Sequence, residues 1–208
     1  MKNQQVTRAI ARKVLQTVDQ GLCRGLGEAT PGQMCVEAAV CYAYGLPHSD
    51  QPPCVGAAVR EFKIRLNDSN WSSNAARAAG MRALAIAQLG SAGIDQEAFV
   101  EMLAEGTIRV VVPMALRAAA ARLSPPQRDK LLAAADVCER EGTEASARAA
   151  AYAANAAAYA ANAAANAAAA AAANAEARDE VLTAAADVAL QCLYALGSPG
   201  CEYLDLLA

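Results

Sequence analysis

Residues 149–175 read AAAYAANAAAYAANAAANAAAAAAANA, 27 residues without a charge, made of 21 alanines, four asparagines and two tyrosines. Alanine has the highest helix propensity, so this stretch is expected to be helical even with little packing. Its length would suit a membrane span. It holds no Leu, Ile, Val or Phe, however, and four amides in so weakly apolar a helix make insertion unfavourable. The helical pattern continues outward from Thr143 to Ala195, 53 residues, or about 80 Å if unbroken. A compact domain of this size has a radius of gyration near ~17 Å. Such a helix must therefore bend, fold back, protrude or pair with another chain.

The first five non-alanine residues of the tract are Tyr152, Asn155, Tyr159, Asn162 and Asn166, spaced three, four, three and four apart. That is a heptad seam on an otherwise methyl-coated rod. A self-association seam is the leading reading, because isolated helices gain little without a packed face. A solubilised low-complexity rod and a ligand-lining stripe of Tyr and Asn are the alternatives.

The rest of the chain is also punctuated as helices. The 208 residues include 56 alanines, two Phe and one Trp, which speaks against an all-β fold. Val6, Ile10, Val14 and Val18 mark a first amphipathic helix over about 5–19. Thr30-Pro31-Gly32-Gln33 reads as a capping box opening a helix that Gly45 stops. Pro52-Pro53 reads as the start of a helix to about Leu66. Ser72 or Ser73 caps one ending at Gly90, and Asp95 caps one ending at Gly106. The β-branched run 108–112 suits a strand, but no partner strand is visible, so a helix kinked or started at Pro113 is preferred. Ser124 to Gln127 repeats the capping-box pattern for a helix to about Arg140, and Thr143 caps the long segment. A short helix over 202–207 closes the chain. The expected fold is all-α, a bundle of seven or eight helices with one very long alanine-rich C-terminal helix. It divides into a helical domain, 1–142, and the long helix with its C-terminal cap, 143–208.

Composition narrows the function classes. The first residues lack the apolar core of a signal peptide. Seven cysteines without an export signal point to free thiols in a cytoplasmic protein. Net charge is −3 overall, with +3 over residues 1–123 (13 basic, 10 acidic) and −6 over 124–208 (5 basic, 11 acidic). The basic surplus is too small for duplex nucleic acid but serves a small phosphate-bearing ligand.

Three constellations carry candidate chemistry. Cys35, Cys41, His48 and Cys54 offer thiolate and imidazole ligands, but C-x5-C-x6-H-x5-C lacks the close knuckle of a zinc site, and no metal is expected. Cys35 in the first turns of a helix, with His48 as base, is the weak catalytic candidate. Glu37 reads as a lone carboxylate, which is no acid/base pair. No Walker loop, GxGxxG or HExxH is present, and no cofactor is implied. The third constellation is Arg60, Lys63, Trp71, Arg77, Arg109 and Arg117, with Tyr152, Asn155 and Tyr159 as secondary candidates. An aromatic surface, a helix N-terminus and several arginines suit a nucleotide, although ordinary ion pairs and solvated faces account for each residue singly.

The stretch from Gly21 to Gly90, with Cys23, Met34-Cys35-Val36-Glu37, Gly45-Leu46-Pro47-His48 and Phe62-Lys63-Ile64-Arg65-Leu66-Asn67, resembles a group of uncharacterised bacterial and phage proteins. Some of them also end in an alanine-rich tract. The resemblance covers about a third of the chain, and no activity carries over from it to these residues. A phage association would imply a host-interaction role, such as sequestering a nucleotide signal of host defence. The leading expectation is thus an oligomeric, non-catalytic binder of a small phosphate-containing ligand. A self-assembling structural protein and a cysteine-dependent hydrolase or transferase are the alternatives.

Overall fold

The computed structural model describes the backbone of residues 5–149 and 169–208, with side chains from 175 onward in the latter stretch. Among the described residues all regular structure is helical, apart from one isolated antiparallel bridge between Gly27 and Met34. In chain order the helices are α1 (Arg8–Val18), α2 (Val36–Ala43), α3 (Ala57–Asn67), α4 (Asn74–Ala87), α5 (Gln96–Gly106), α6 (Val112–Ala120), α7 (Gln127–Glu141) and α8 (Ala169–Ala195). Residues 144–149 are also helical, and Pro199–Leu207 is a 3-10 segment. No described helix is long and apolar enough to cross a membrane.

Several boundaries follow the sequence signals. Ser73 caps α4 through Ala76 N–H, whereas α1 starts only after Thr7, an unforeseen cap that accepts from Ile10 N–H. Asp95 accepts from Glu97 and Ala98 N–H at the start of α5. Thr143 and Ser146 cap each other ahead of 144–149. The β-branched run is helical, as the helix reading preferred, but Gly106 does not close α5 as expected: its backbone stays right-handed helical, and Thr107–Val111 carries the helix on as a π-turn into α6. Pro113 follows directly, in the first turn of α6. Proline lacks an N–H and crowds the carbonyl of the preceding turn, which accounts for a change of register there.

Three proposed starts are corrected. Thr30-Pro31-Gly32-Gln33 does not open α2, whose N-cap is Cys35. Backbone bonds Cys23 N–H to Met34 O, Glu28 N–H to Gln33 O and Cys35 N–H to Leu26 O fold residues 22–35 into a paired loop, with Thr30 at its tip. Pro52-Pro53 forms a turn closed by Val55 N–H to Pro52 O, and α3 begins only after Gly56. There the side chain of Gln96 accepts Ala58 N–H, so a distant segment caps the helix. Ser124 makes no side-chain cap, since Pro126 precedes α7 directly.

The long helix over 143–195 is seen only at its ends, 144–149 and Ala169–Ala195, and the expectations placed on Tyr152, Asn155 and Tyr159 lie outside the described residues. The compact units also divide differently from the sequence boundary at 142/143. One unit is Met1–Glu101 with Ala186–Ala208, and the other is Met102–Ala185.

In the first unit, Val14, Val18, Val36, Val40, Val59, Met81, Leu84, Phe99 and Leu193 are buried. Its C-terminal 3-10 segment lies across α1 and α4. Gly200 N–H reaches Leu89 O and Ser198 Oγ–H reaches Ala87 O, which closes the open carbonyls at the end of α4. In the second unit, Leu116 and Ala120 of α6 pack on Leu131, Ala135 and Cys138 of α7.

Candidate functional site

Glu37 and Lys63 are fully buried, and Lys63 Nζ lies 3.1 Å from Glu37 Oε1. The approach is off the hydrogen-bonding angle, so neither Glu37 oxygen nor Lys63 Nζ has an aligned hydrogen-bond partner among the described residues. Glu37 is held by the first turn of α2, and Lys63 lies on the stripe of α3 that also carries Val59 and Leu66. Burial pushes the Glu37 carboxyl up, against the opposing pull of Lys63, and pushes the Lys63 ammonium down, against Glu37. Both directions weaken the fully charged pair.

Glu37 lines a cavity of about 30 Å³, whose other walls include Leu26, Cys35, Val36, Asp50, Ile64, Asn67 and Asp68. Such a space takes roughly two or three water-sized groups. One wall is the paired loop, and the other is the last turns of α3. They are joined by Asn67, whose Nδ2 donates to Cys23 O at 2.9 Å and whose Oδ1 accepts Val36 N–H at 3.4 Å. Asp68 accepts Gly25 N–H at 2.7 Å. Arg60 stands on the same face of α3, one turn before Lys63, and its charge favours the ionised form of Glu37. Among the described residues the Arg60 guanidinium has no hydrogen-bond or ion-pair partner, and its backbone N–H donates to Gly56 O.

The other proposed contacts are engaged within the fold. Trp71 is buried, and its Nε1–H donates to Leu66 O at 2.9 Å. Arg77 is buried and donates to Asn67 O, Leu22 O and Asn74 Oδ1. Together they close the carbonyl end of α3, rather than presenting a concave surface. Arg109 and Arg117 belong to the second unit. Arg109 donates to Glu105 and to the carbonyls of Glu139, Arg140 and Glu141, capping the C-terminus of α7. Arg117 pairs with Asp136 and Glu139. Arg109→Ala should therefore lower the stability of the second unit by about 1–2 kcal/mol, since it strips partners from partly exposed carbonyls. Calorimetric unfolding showing no loss would contradict that capping role.

All seven cysteines are free, and Cys35 and His48, the weak catalytic candidates, make separate contacts. Cys35 is the N-cap of α2, its Sγ accepts from Ala38 N–H, and burial pushes its thiol up to about 11. Burial outweighs the lowering that the Ala38 N–H contact gives at this helix start. His48 Nε2–H donates to Gly27 O at 3.0 Å, and no hydrogen bond joins it to Cys35 among the described residues. Cys35 in the native protein should alkylate with iodoacetamide far more slowly at pH 7 than a free thiol, because about one molecule in 10⁴ carries the thiolate. Labelling as fast as free cysteine would restore the enzymatic reading. Among the described residues no group of three or more His, Cys, Asp or Glu is placed to hold a metal ion.

The partner of Glu37 is what sequence reasoning missed. A signal was present: Glu37 interrupts the apolar run 34–41, and Lys63 shares the apolar stripe of α3. Two opposite charges on two buried stripes ask for each other. No family model, curated protein or solved structure matches the chain.

Proposed function

We propose that the protein is a non-catalytic binder of a small phosphate-containing ligand, a nucleotide, held at the cavity that Glu37 lines in the first unit. The observation that carries this reading is the fully buried Glu37 side chain, met by one cation, Lys63, off the hydrogen-bonding angle, beside a cavity. Native proteins rarely leave such groups unsatisfied unless the position has a use. The carboxylates of Glu37, Asp50 and Asp68 outnumber the cations at the cavity, so a phosphate stays outside it, and Arg60 is the cation to meet it.

A thermal-shift screen of the full chain against mononucleotides and cyclic nucleotides at hundreds of micromolar is the test. A ligand at 100 times its Kd adds about 2.7 kcal/mol, so a binder raises Tm by a few degrees. No shift with any nucleotide would sink the reading. Self-association through the heptad seam of the alanine tract is proposed alongside it, on the spacing of Tyr152, Asn155, Tyr159, Asn162 and Asn166. Light scattering should find a small, monodisperse oligomer, and a monomer at tens of micromolar would refute this part alone. The sequence resemblance to phage proteins would imply that such sequestration serves host interaction.

A further inference from the structure

The first unit is closed by a segment that arrives late in the chain. Ala186–Ala208 completes Met1–Glu101 only after the 84 residues of Met102–Ala185. The segment buries Val188, Ala189, Cys192 and Leu193. Its 3-10 turn fits the end of α4 at two glycines. A Cβ on Gly200 would lie 2.1 Å from Ile86 O, and one on Gly90 would lie 2.8 Å from Pro199 Cγ. At α1, Tyr203 Oη–H donates to Val6 O at 3.3 Å, and Asp205 pairs with Arg8. The same contacts form whichever copy of the chain supplies the segment.

The reach of the connection decides which copy that is. Gly142, just before Thr143, lies against Arg109, since a Cβ there would be 2.5 Å from Arg109 Nε. Arg109 stands eight residues of helix past Glu101, about 12 Å. With the arginine side chain added, the segment from Thr143 starts within roughly 20 Å of Glu101. From Thr143 to Leu196 the sequence has no glycine or proline, and sharp helix kinks almost always sit at one of these or at a π-bulge. An unbroken helix over the 43 residues from Thr143 to Ala186 is about 65 Å long, which carries Ala186 roughly 45 Å from Glu101. A compact unit of 124 residues (101 and 23) has a radius of gyration near ~14 Å, or about 36 Å across as a sphere. The rod therefore overshoots the first unit of its own chain.

We infer that Ala186–Ala208 closes the first unit of a second copy, so that the face formed by α1 and the end of α4 is a surface between copies. This rests on the self-association reading above and names where each copy completes the other. A reciprocal exchange is finite, because the surface that gives and the surface that receives are both used up within one pair.

The Arg8–Asp205 pair is half-exposed on both sides, so Arg8→Lys keeps the fold and the charge. In the full-length variant a carbodiimide joins that amine to the Asp205 carboxyl as an amide, whereas the wild-type guanidinium does not couple. The protein is treated at tens of micromolar, separated on a denaturing gel, and the peptide linking positions 8 and 205 is sought by mass spectrometry in each band. The expected result is that linked peptide in a covalent dimer band absent from the wild type, with little in the monomer band. The linked peptide mainly in the monomer band, with light scattering still finding an oligomer, overturns the exchange and leaves self-association standing. The same peptide in the monomer band of a protein that scatters as a monomer overturns both. No linked peptide in either band, from a variant with the wild-type urea midpoint, means that the segment does not dock on α1 and overturns the exchange.

Discussion

Lys63→Met should destabilise the first unit by about 3–5 kcal/mol, because it leaves the Glu37 carboxylate buried without its cation. Glu37→Leu should cost a similar amount by stranding the ammonium. The double variant should recover most of the loss, and ends near or above the wild type, since two packed apolar side chains avoid the desolvation of both charges. Trp71 is the only tryptophan and is buried at the end of α3, so its fluorescence in urea reports the unit that holds the pair. The single variants should also differ in pH dependence. In Lys63→Met the folded Glu37 carboxyl, already raised by burial, binds its proton more tightly than the unfolded chain does. Its stability should therefore rise as pH falls from neutrality toward the unfolded carboxylate pKa, and decline as pH rises through the folded one. Singles that each lose under 1 kcal/mol would mean the pair is not desolvated as described.

Gly27→Ala should be comparably damaging, at roughly 2–5 kcal/mol. Gly27 has φ +70°, in the left-handed region, and a Cβ there would lie 2.0 Å from Gln33 O and 2.3 Å from Cys23 Sγ. A left-handed backbone costs an L-residue about 1–2 kcal/mol. The remainder is the displacement of the Gln33 backbone, which pairs with Glu28, and of the loop that walls the cavity. Gly45→Ala is the matched control, since its φ is +68° and nothing lies within 4 Å of the added carbon. The difference between the two variants, read from urea midpoints, isolates the contact. If Gly27→Ala is no worse than Gly45→Ala, the loop does not close as described.

Helices with strong local signals were legible residue by residue. Ser73, Asp95 and Thr143 cap because a short polar side chain next to free N–H groups acts within one turn of chain. The false starts at Thr30, Pro52 and Ser124 share another cause. Each pattern is as compatible with a turn as with a first helical turn, and the choice between them depends on where neighbouring segments offer hydrogen bonds. Gln96 capping α3 across 38 residues is invisible to local reading. The site fared similarly. The cations were identified by type, yet beside local partners such as Glu105 and Asn74, Lys63, Arg77, Arg109 and Arg117 reach others 26, 55, 32 and 22 residues away, at Glu37, Leu22, Glu141 and Glu139.

The amino-acid sequence alone determined that the described chain is helical, and where most helices stop, because propensity, apolar period and glycine act over a few residues. Only the tertiary structure decided which charges are buried together, which arginines close helix ends and which carboxylate faces a cavity. Those outcomes depend on the cost of desolvating a charge, and that cost is fixed by what packs over it rather than by its neighbours in the chain.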